Sequence, residues 1–333
     1  MLGSTGRPIR RPGEVGIPQP CHSPPITGRH LDRHPPPDVV CPTYGRHSSE
    51  TALLARVPAH APGGRVIKTD HLIYEKDGPI ATVTLNRPEV RNAISVEMGA
   101  ALNEATEDFE DDPTLRVLIL TGAGDKAFCA GADLKSAIPA VTASASSASS
   151  AGPDGPTGAD PIKRPFSDTT KPVIAAVNGY AVAGGMEILL GTDIRIAATH
   201  ASFGLPEPAL GLVPFYGSHV RLPQQVSWAR AMEILLVGDR ISAQEALEIG
   251  LINRVVPAAD LMSTARAFAE RISRNSPLAV RKIKETVRAA YNRPWDEAFA
   301  IESRIAAEVL ASEDAKEGPR AFAEKRQPVF QGR

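Results

Sequence analysis

Two glycine turns, Cys129-Ala130-Gly131-Ala132-Asp133 and Ala183-Gly184-Gly185-Met186-Glu187, each follow a buried-strand pattern and open towards a helix. The first amides of a helix lack intrahelical acceptors and lie at the positive end of its dipole, so such turns offer N–H groups to an anion. A second carboxylate, Glu207, follows in Phe203-Gly204-Leu205-Pro206-Glu207. Glu187 falls in a first helical turn, where the dipole favours its ionised form and suits a base. Glu207 stands between Pro206 and Pro208 after Phe203 and Leu205, a stiff, partly apolar setting expected to raise its pKa towards that of an acid. Taken singly, these are turn glycines, a capping Glu and a loop Glu. In combination they spell an oxyanion site with a paired acid and base, which is what an enolate needs.

Positioning them requires strands that end at the turns. Residues 72–76 and 80–85 read as a hairpin about Asp77-Gly78, and Ser95 can cap a helix to about Phe109, with Met98, Leu102 and Ala105 on one face. Residues 117–121 form a continuously apolar strand of the kind covered on both faces, leading to the first turn. Residues 173–177 form a second, with Asn178-Gly179 as a turn before the second glycine segment. Strands at 193–197 and 201–203 precede Glu207. Helices follow at 227–236 and 242–250, the latter with Ser242 and Glu245 in capping-box spacing. A short strand at 251–256 and three amphipathic helices from Leu261, Leu278 and Trp295 complete the pattern.

The organisation is therefore an extension at 1–65, an α/β core at 66–260 and a helical region at 261–333. A long Ser, Ala and Gly loop at 136–170 interrupts the core, placed either as a tolerated surface insertion or as a cover for substrate. The extension carries twelve prolines and five of the eight histidines, and is expected to be disordered or the product of a start site assigned too early. Its eight arginines against four acids suggest a presequence, but the prolines prevent the amphipathic helix that one needs.

The net charge of −1 leaves the remainder near −5, so no broad basic face is implied. Only Cys129 of the three cysteines lies in the globular part, which gives no disulfide framework and no metal-ligand spacing and points to a reducing, cytoplasmic setting. The most apolar stretch is broken by Asn178, glycines and Glu187, so no membrane span is expected.

Residues 66–333 resemble an enoyl-CoA hydratase of the crotonase superfamily, in Thr84-Leu85-Asn86-Arg87-Pro88, Ala127 to Lys135, 171–187 and 203–214. The resemblance implies a crotonase (ClpP-like) fold, a repeated ββα spiral with a C-terminal helical trimerisation region, assembled as a trimer or a dimer of trimers. It implies that the N–H groups of Ala132 and Gly184 hold a thioester carbonyl oxygen, that Glu187 assists attack of water at the β carbon, and that Glu207 protonates the α carbon. It places Arg91, Ala130, Asp133, Leu134 and Lys135 beside CoA, with Phe322 and Lys325 of the last helix reaching the adenine end in a neighbouring subunit. No metal or cofactor is implied, CoA being part of the acyl-CoA substrate.

The chain departs from the family after Pro214, where Phe215-Tyr216-Gly217-Ser218-His219 replaces a run of small residues; Phe215 takes the position beside the catalytic water, and the bulk narrows the acyl pocket. His219 lies in a helical pattern with Val220 and Leu222, which argues against a general base. Double-bond isomerisation, or dehydration of a carnityl-CoA-like thioester, is the enzymatic alternative, and keeping both glutamates favours water chemistry over one-base isomerisation. RNA binding by the Arg-rich tail is the weaker alternative, because Tyr44 is its one stacking aromatic.

Overall fold

The computed structural model describes residues 67–133 and 164–333. The extension at 1–65, Leu134, Lys135 and the 136–163 part of the long loop lie outside these residues.

The strands form two sheets. The first runs β1 (Ile67–Lys68), β2 (Leu72–Asp77), β3 (Ile80–Leu85), β4 (Val117–Gly122), then β6 (Val173–Val177), β8 (Ile194–Ala198) and β11 (Arg254–Val256). The first three pair antiparallel, and the rest parallel. The second sheet holds β5 (Ala127–Cys129), β7 (Tyr180–Val182), β9 (Ser202–Gly204) and β10 (Ile241–Ser242), in the order β10-β9-β7-β5. Each strand of the first sheet from β4 to β8 is thus followed by a short strand of the second, and the chain winds as the expected spiral.

Residue periodicity explains the layering. All six residues of β4 are buried. Their alternate side chains divide between two cores: Leu118 and Leu120 meet Phe109 and the second sheet, whereas Val117 and Ile119 meet Ala265 and Ala269. The inner core is covered by α1 (Val96–Asp111) and the outer by α6 (Leu261–Ser273), leaving neither face of the parallel strands to water. Between them come α2 (Gly184–Leu190), α3 (Ser218–Gln225), α4 (Trp228–Val237) and α5 (Ala243–Glu248), and after them α7 (Pro277–Ala290), α8 (Trp295–Leu310) and α9 (Glu313–Ala323).

The local signals act as read. Ser95 Oγ accepts from Met98 N at 3.1 Å at the start of α1, and Ser242 and Glu245 complete a capping box on α5. Three details differ. The hairpin turn is Gly78-Pro79, because Asp77 still pairs with Ile80. Residues 180–182 form a strand where only a turn was read, since three residues are too few to show a period. The final residues of the long loop are packed: Phe166 and Thr169 are buried, and Thr170 N donates to Glu110 Oε2 at 3.1 Å. Among the described residues no helix is long and apolar enough to cross a membrane.

Candidate active site

The two glycine turns meet. Gly131, at φ 94°, lies so close to the second turn that a Cβ on it would fall 2.7 Å from Ala183 Cβ and 3.2 Å from Gly184 N. In turn, a Cβ on Gly184 would sit 3.5 Å from Ala132 N. The two sequence-derived amides are therefore neighbours across one junction.

Their orientation follows from pairing. Ala132 forms an isolated parallel bridge with Ile94. Its flanking atoms make the bonds, Ile94 N to Gly131 O at 2.8 Å and Asp133 N to Ile94 O at 2.9 Å, which turns the N–H of Ala132 away from Ile94. On the second turn Ala183 adopts φ 51°, ψ −129°, a conformation rare for a residue with a side chain and costing about 1–3 kcal/mol. It bends the chain from β7 into α2 so that Gly184 becomes the first helical residue. Among the described residues, neither Ala132 N nor Gly184 N donates to a protein acceptor. Ala132 is itself exposed. Two free amides at one exposed junction can bind a single anionic oxygen.

Polar side chains brace the junction. Asn92, wholly buried, donates to Ala123 O and Ala127 O and accepts from Arg87 N. Arg87 also reaches Asp133 Oδ2 at 3.1 Å and Ala93 O at 2.9 Å. Arg195, buried in β8, donates to the carbonyls of Leu189 and Leu190 and so fixes the end of α2. None of the three stood out in the sequence, although Arg87 lies in one of the segments that carried the resemblance.

Glu187 is 4% exposed on α2. Its Oε1 accepts from Tyr216 N at 2.5 Å, Ser218 Oγ at 2.9 Å and, at the limit of a hydrogen bond, Ser218 N at 3.5 Å. Burial raises its pKa, opposed by these donors and by the nearby His219. The expectation that the helix dipole sets its ionisation is thus corrected: desolvation is the largest effect, because the side chain sits in the core and α2 is only seven residues long. Glu207 follows β9 and opens a 3₁₀ turn over Glu207–Leu210. Burial lifts its pKa to about 7, its own backbone N–H opposes the rise, and the charge of Glu187 adds to it. Its Oε2 is buried and, among the described residues, meets no hydrogen-bond partner. Glu207 thus feels the charge of Glu187, which puts the two carboxylates near one another.

Of the remaining sequence candidates, Arg91 is exposed at φ 57° and its carbonyl accepts from Ala130 N, while Asp133 is engaged by Arg87. Phe322 and Lys325 are exposed at the end of α9, far along the chain from the turns. Leu134 and Lys135 lie outside the described residues. Phe215 is exposed, and its carbonyl accepts from Arg164 at 3.4 Å. His219 is exposed on α3. Ser218 lies inside the segment that departs from the family, and nothing in its spacing signals that its hydroxyl meets Glu187, 29 residues apart in the chain.

Compared with protein families, residues 75–333 match enoyl-CoA hydratase/isomerase. The chain is 46% identical over 261 residues to enoyl-CoA hydratase EchA19 of Mycobacterium tuberculosis, spanning 78% of this chain and 96% of that protein. It is 45% identical over 269 residues to a carnitinyl-CoA dehydratase of Salmonella paratyphi A, spanning 80% and 100%. Among solved structures, an enoyl-CoA hydratase from Bacillus anthracis superposes with a TM-score of 0.70 at 35% identity, covering 79% of this chain and all of that one.

Proposed function

Because the chain belongs to the enoyl-CoA hydratase/isomerase family, we propose that it is an enoyl-CoA hydratase, adding water reversibly to the double bond of a 2-enoyl-CoA thioester. The observation that carries this reading is Glu207 held near neutral pKa under the charge of Glu187, together with two neighbouring amides that meet no protein acceptor among the described residues.

In the proposed step, the N–H groups of Ala132 and Gly184 receive the thioester oxygen as the enolate forms. One water lies between the carboxylates; its oxygen bonds to the β carbon while Glu187 takes a proton from it. Glu207 gives its proton to the α carbon, which collapses the enolate. Dehydration is the reverse, with Glu207 as base and Glu187 as acid. Preorganised amides favour the enolate over the neutral carbonyl, so their contribution is to the barrier and not to ground-state binding.

Arg91, Ala130, Asp133, Leu134 and Lys135 are proposed to line the CoA path, with Asp133 acting through its pairing to Arg87. Phe322 and Lys325 are proposed to reach CoA in a neighbouring subunit of a trimer or dimer of trimers, which suits their exposure in a single chain. The chemistry needs no metal or further cofactor, and the protein is proposed to work in the cytoplasm. A second reading, dehydration of a carnityl-type thioester, is favoured by the Salmonella relative and uses the same groups in reverse.

A panel of short, long and branched 2-enoyl-CoA thioesters, followed by loss of enoyl absorbance, and of carnityl-type CoA thioesters, followed by its gain, tests both. Hydration of a straight or branched 2-enoyl-CoA well above the carnityl-type rate is the expected result. The opposite ranking installs the second reading, and no turnover of any member rejects both.

A further inference from the structure

We propose that Ser218 is a positioning residue for hydration: its buried hydroxyl pins one oxygen of Glu187 and holds the carboxylate in its ionised, water-facing form. The proposal rests on the hydratase reading and deepens it.

Ser218 is wholly buried at the first residue of α3, directly after Gly217 at φ 122°. That left-handed bend wraps the chain around Glu187 Oε1, so that Tyr216 N approaches from one side of the turn and Ser218 Oγ from the other. Any residue but proline at 216 and 218 would supply the backbone amides. The hydroxyl is what the serine side chain adds, and it donates to Oε1 at 2.9 Å. Among the described residues no donor reaches Oε2, which leaves that oxygen for the substrate water. A donor to a carboxylate stabilises the charged form, so the hydroxyl works against the desolvation that burial imposes. Three donors converging on one oxygen also hold the side chain at a single angle, as a base within reach of water requires.

The other charged and hydrogen-bonding groups that face Glu187 are themselves unaltered by a substitution at Ser218. They are Glu207 after β9, Tyr216 in the preceding turn, and His219 and Arg221 on α3. A shift on losing the hydroxyl therefore reports the hydroxyl.

The test uses the full chain with ¹³C-labelled glutamate carboxyls, the Glu187 signal assigned by its loss in Glu187→Gln, alongside the pH dependence of kcat/KM for the best 2-enoyl-CoA. In Ser218→Ala the Glu187 pKa and the acid limb of kcat/KM should both move up by about one pH unit, as loss of a hydrogen bond to a charged group implies. KM should change less than kcat. Ser218→Cys keeps the size with a weaker donor and should fall between, and it supplies the same readout if Ser218→Ala does not fold. An unmoved Glu187 signal overturns the proposal, as does a moved signal with an unmoved acid limb. Absence of turnover in the wild type, with the carboxyl signal still shifting, would instead reject the hydratase reading, because the titration is read without substrate.

Discussion

Around Glu187 three donors converge on one carboxylate oxygen, whereas at Glu207 a buried oxygen meets none among the described residues. Both side chains are pushed towards the neutral form by burial, so burial does not separate them. Their neighbours do. Ser218 and Tyr216 restore some preference for charge at Glu187, while at Glu207 its own amide opposes a rise to about 7 that Glu187 reinforces. When two like charges compete near neutral pH, the proton goes to the group with fewer donors, and the roles of base and acid follow from hydrogen bonding.

The strongest way to break this comparison is to neutralise each side. Glu187→Gln and Glu207→Gln should each lower hydration by about 10²–10⁴-fold, the usual worth of a general acid or base. Equal loss in both supports a pair working on one water. Wild-type rates in either would remove that residue from the chemistry.

Next in size is the amide junction that both carboxylates serve. Gly131→Ala would place a methyl 2.7 Å from Ala183 Cβ at a φ that disfavours it, so the turns must separate. A loss of about 10²-fold in kcat, comparable to removing one oxyanion donor, is expected with little change in CoA affinity. An unchanged kcat would show that the junction tolerates opening.

Stability against pH sharpens the comparison without substrate. A Glu207 pKa raised from 4.5 to about 7 means that the protonated form favours the fold. Its contribution is fully present below the unfolded value and is lost as pH rises through about 7. Thermal melts of Glu207→Gln should therefore gain on the wild type as pH rises from about 4.5 to about 7 and hold a constant difference above that. A constant difference between about pH 4.5 and pH 7 would contradict the desolvated setting of Glu207.

The smallest effects belong to the far end of the substrate. Phe322 is 87% exposed, so Phe322→Ala should leave the melting temperature nearly unchanged, while KM for CoA thioesters rises and kcat stays. An unchanged KM would remove Phe322 from the CoA site.

Much of this was legible in the residues. The apolar run of β4, the capping serines and the glycine turns each obey a local rule that survives folding. The facing sheet was less so: the strand before Glu207 was read, but β5 and β7 have three residues each and gain their identity from pairing with one another. Of the site, the two turns and both glutamates could be named from sequence. Ser218, Asn92, Arg87 and Arg195 could not be singled out, since each acts through a contact at least 29 residues away in the chain, or through a buried network that spacing does not encode.

The central claim is that amides from two separate turns share one thioester oxygen beside the paired glutamates. A crystal structure of the Glu187→Gln, Glu207→Gln variant with a 2-enoyl-CoA tests it directly. The account predicts the carbonyl oxygen about 3 Å from both Ala132 N and Gly184 N, with residues 187 and 207 flanking the β and α carbons. A carbonyl bound elsewhere, or held by only one of those nitrogens, would contradict it.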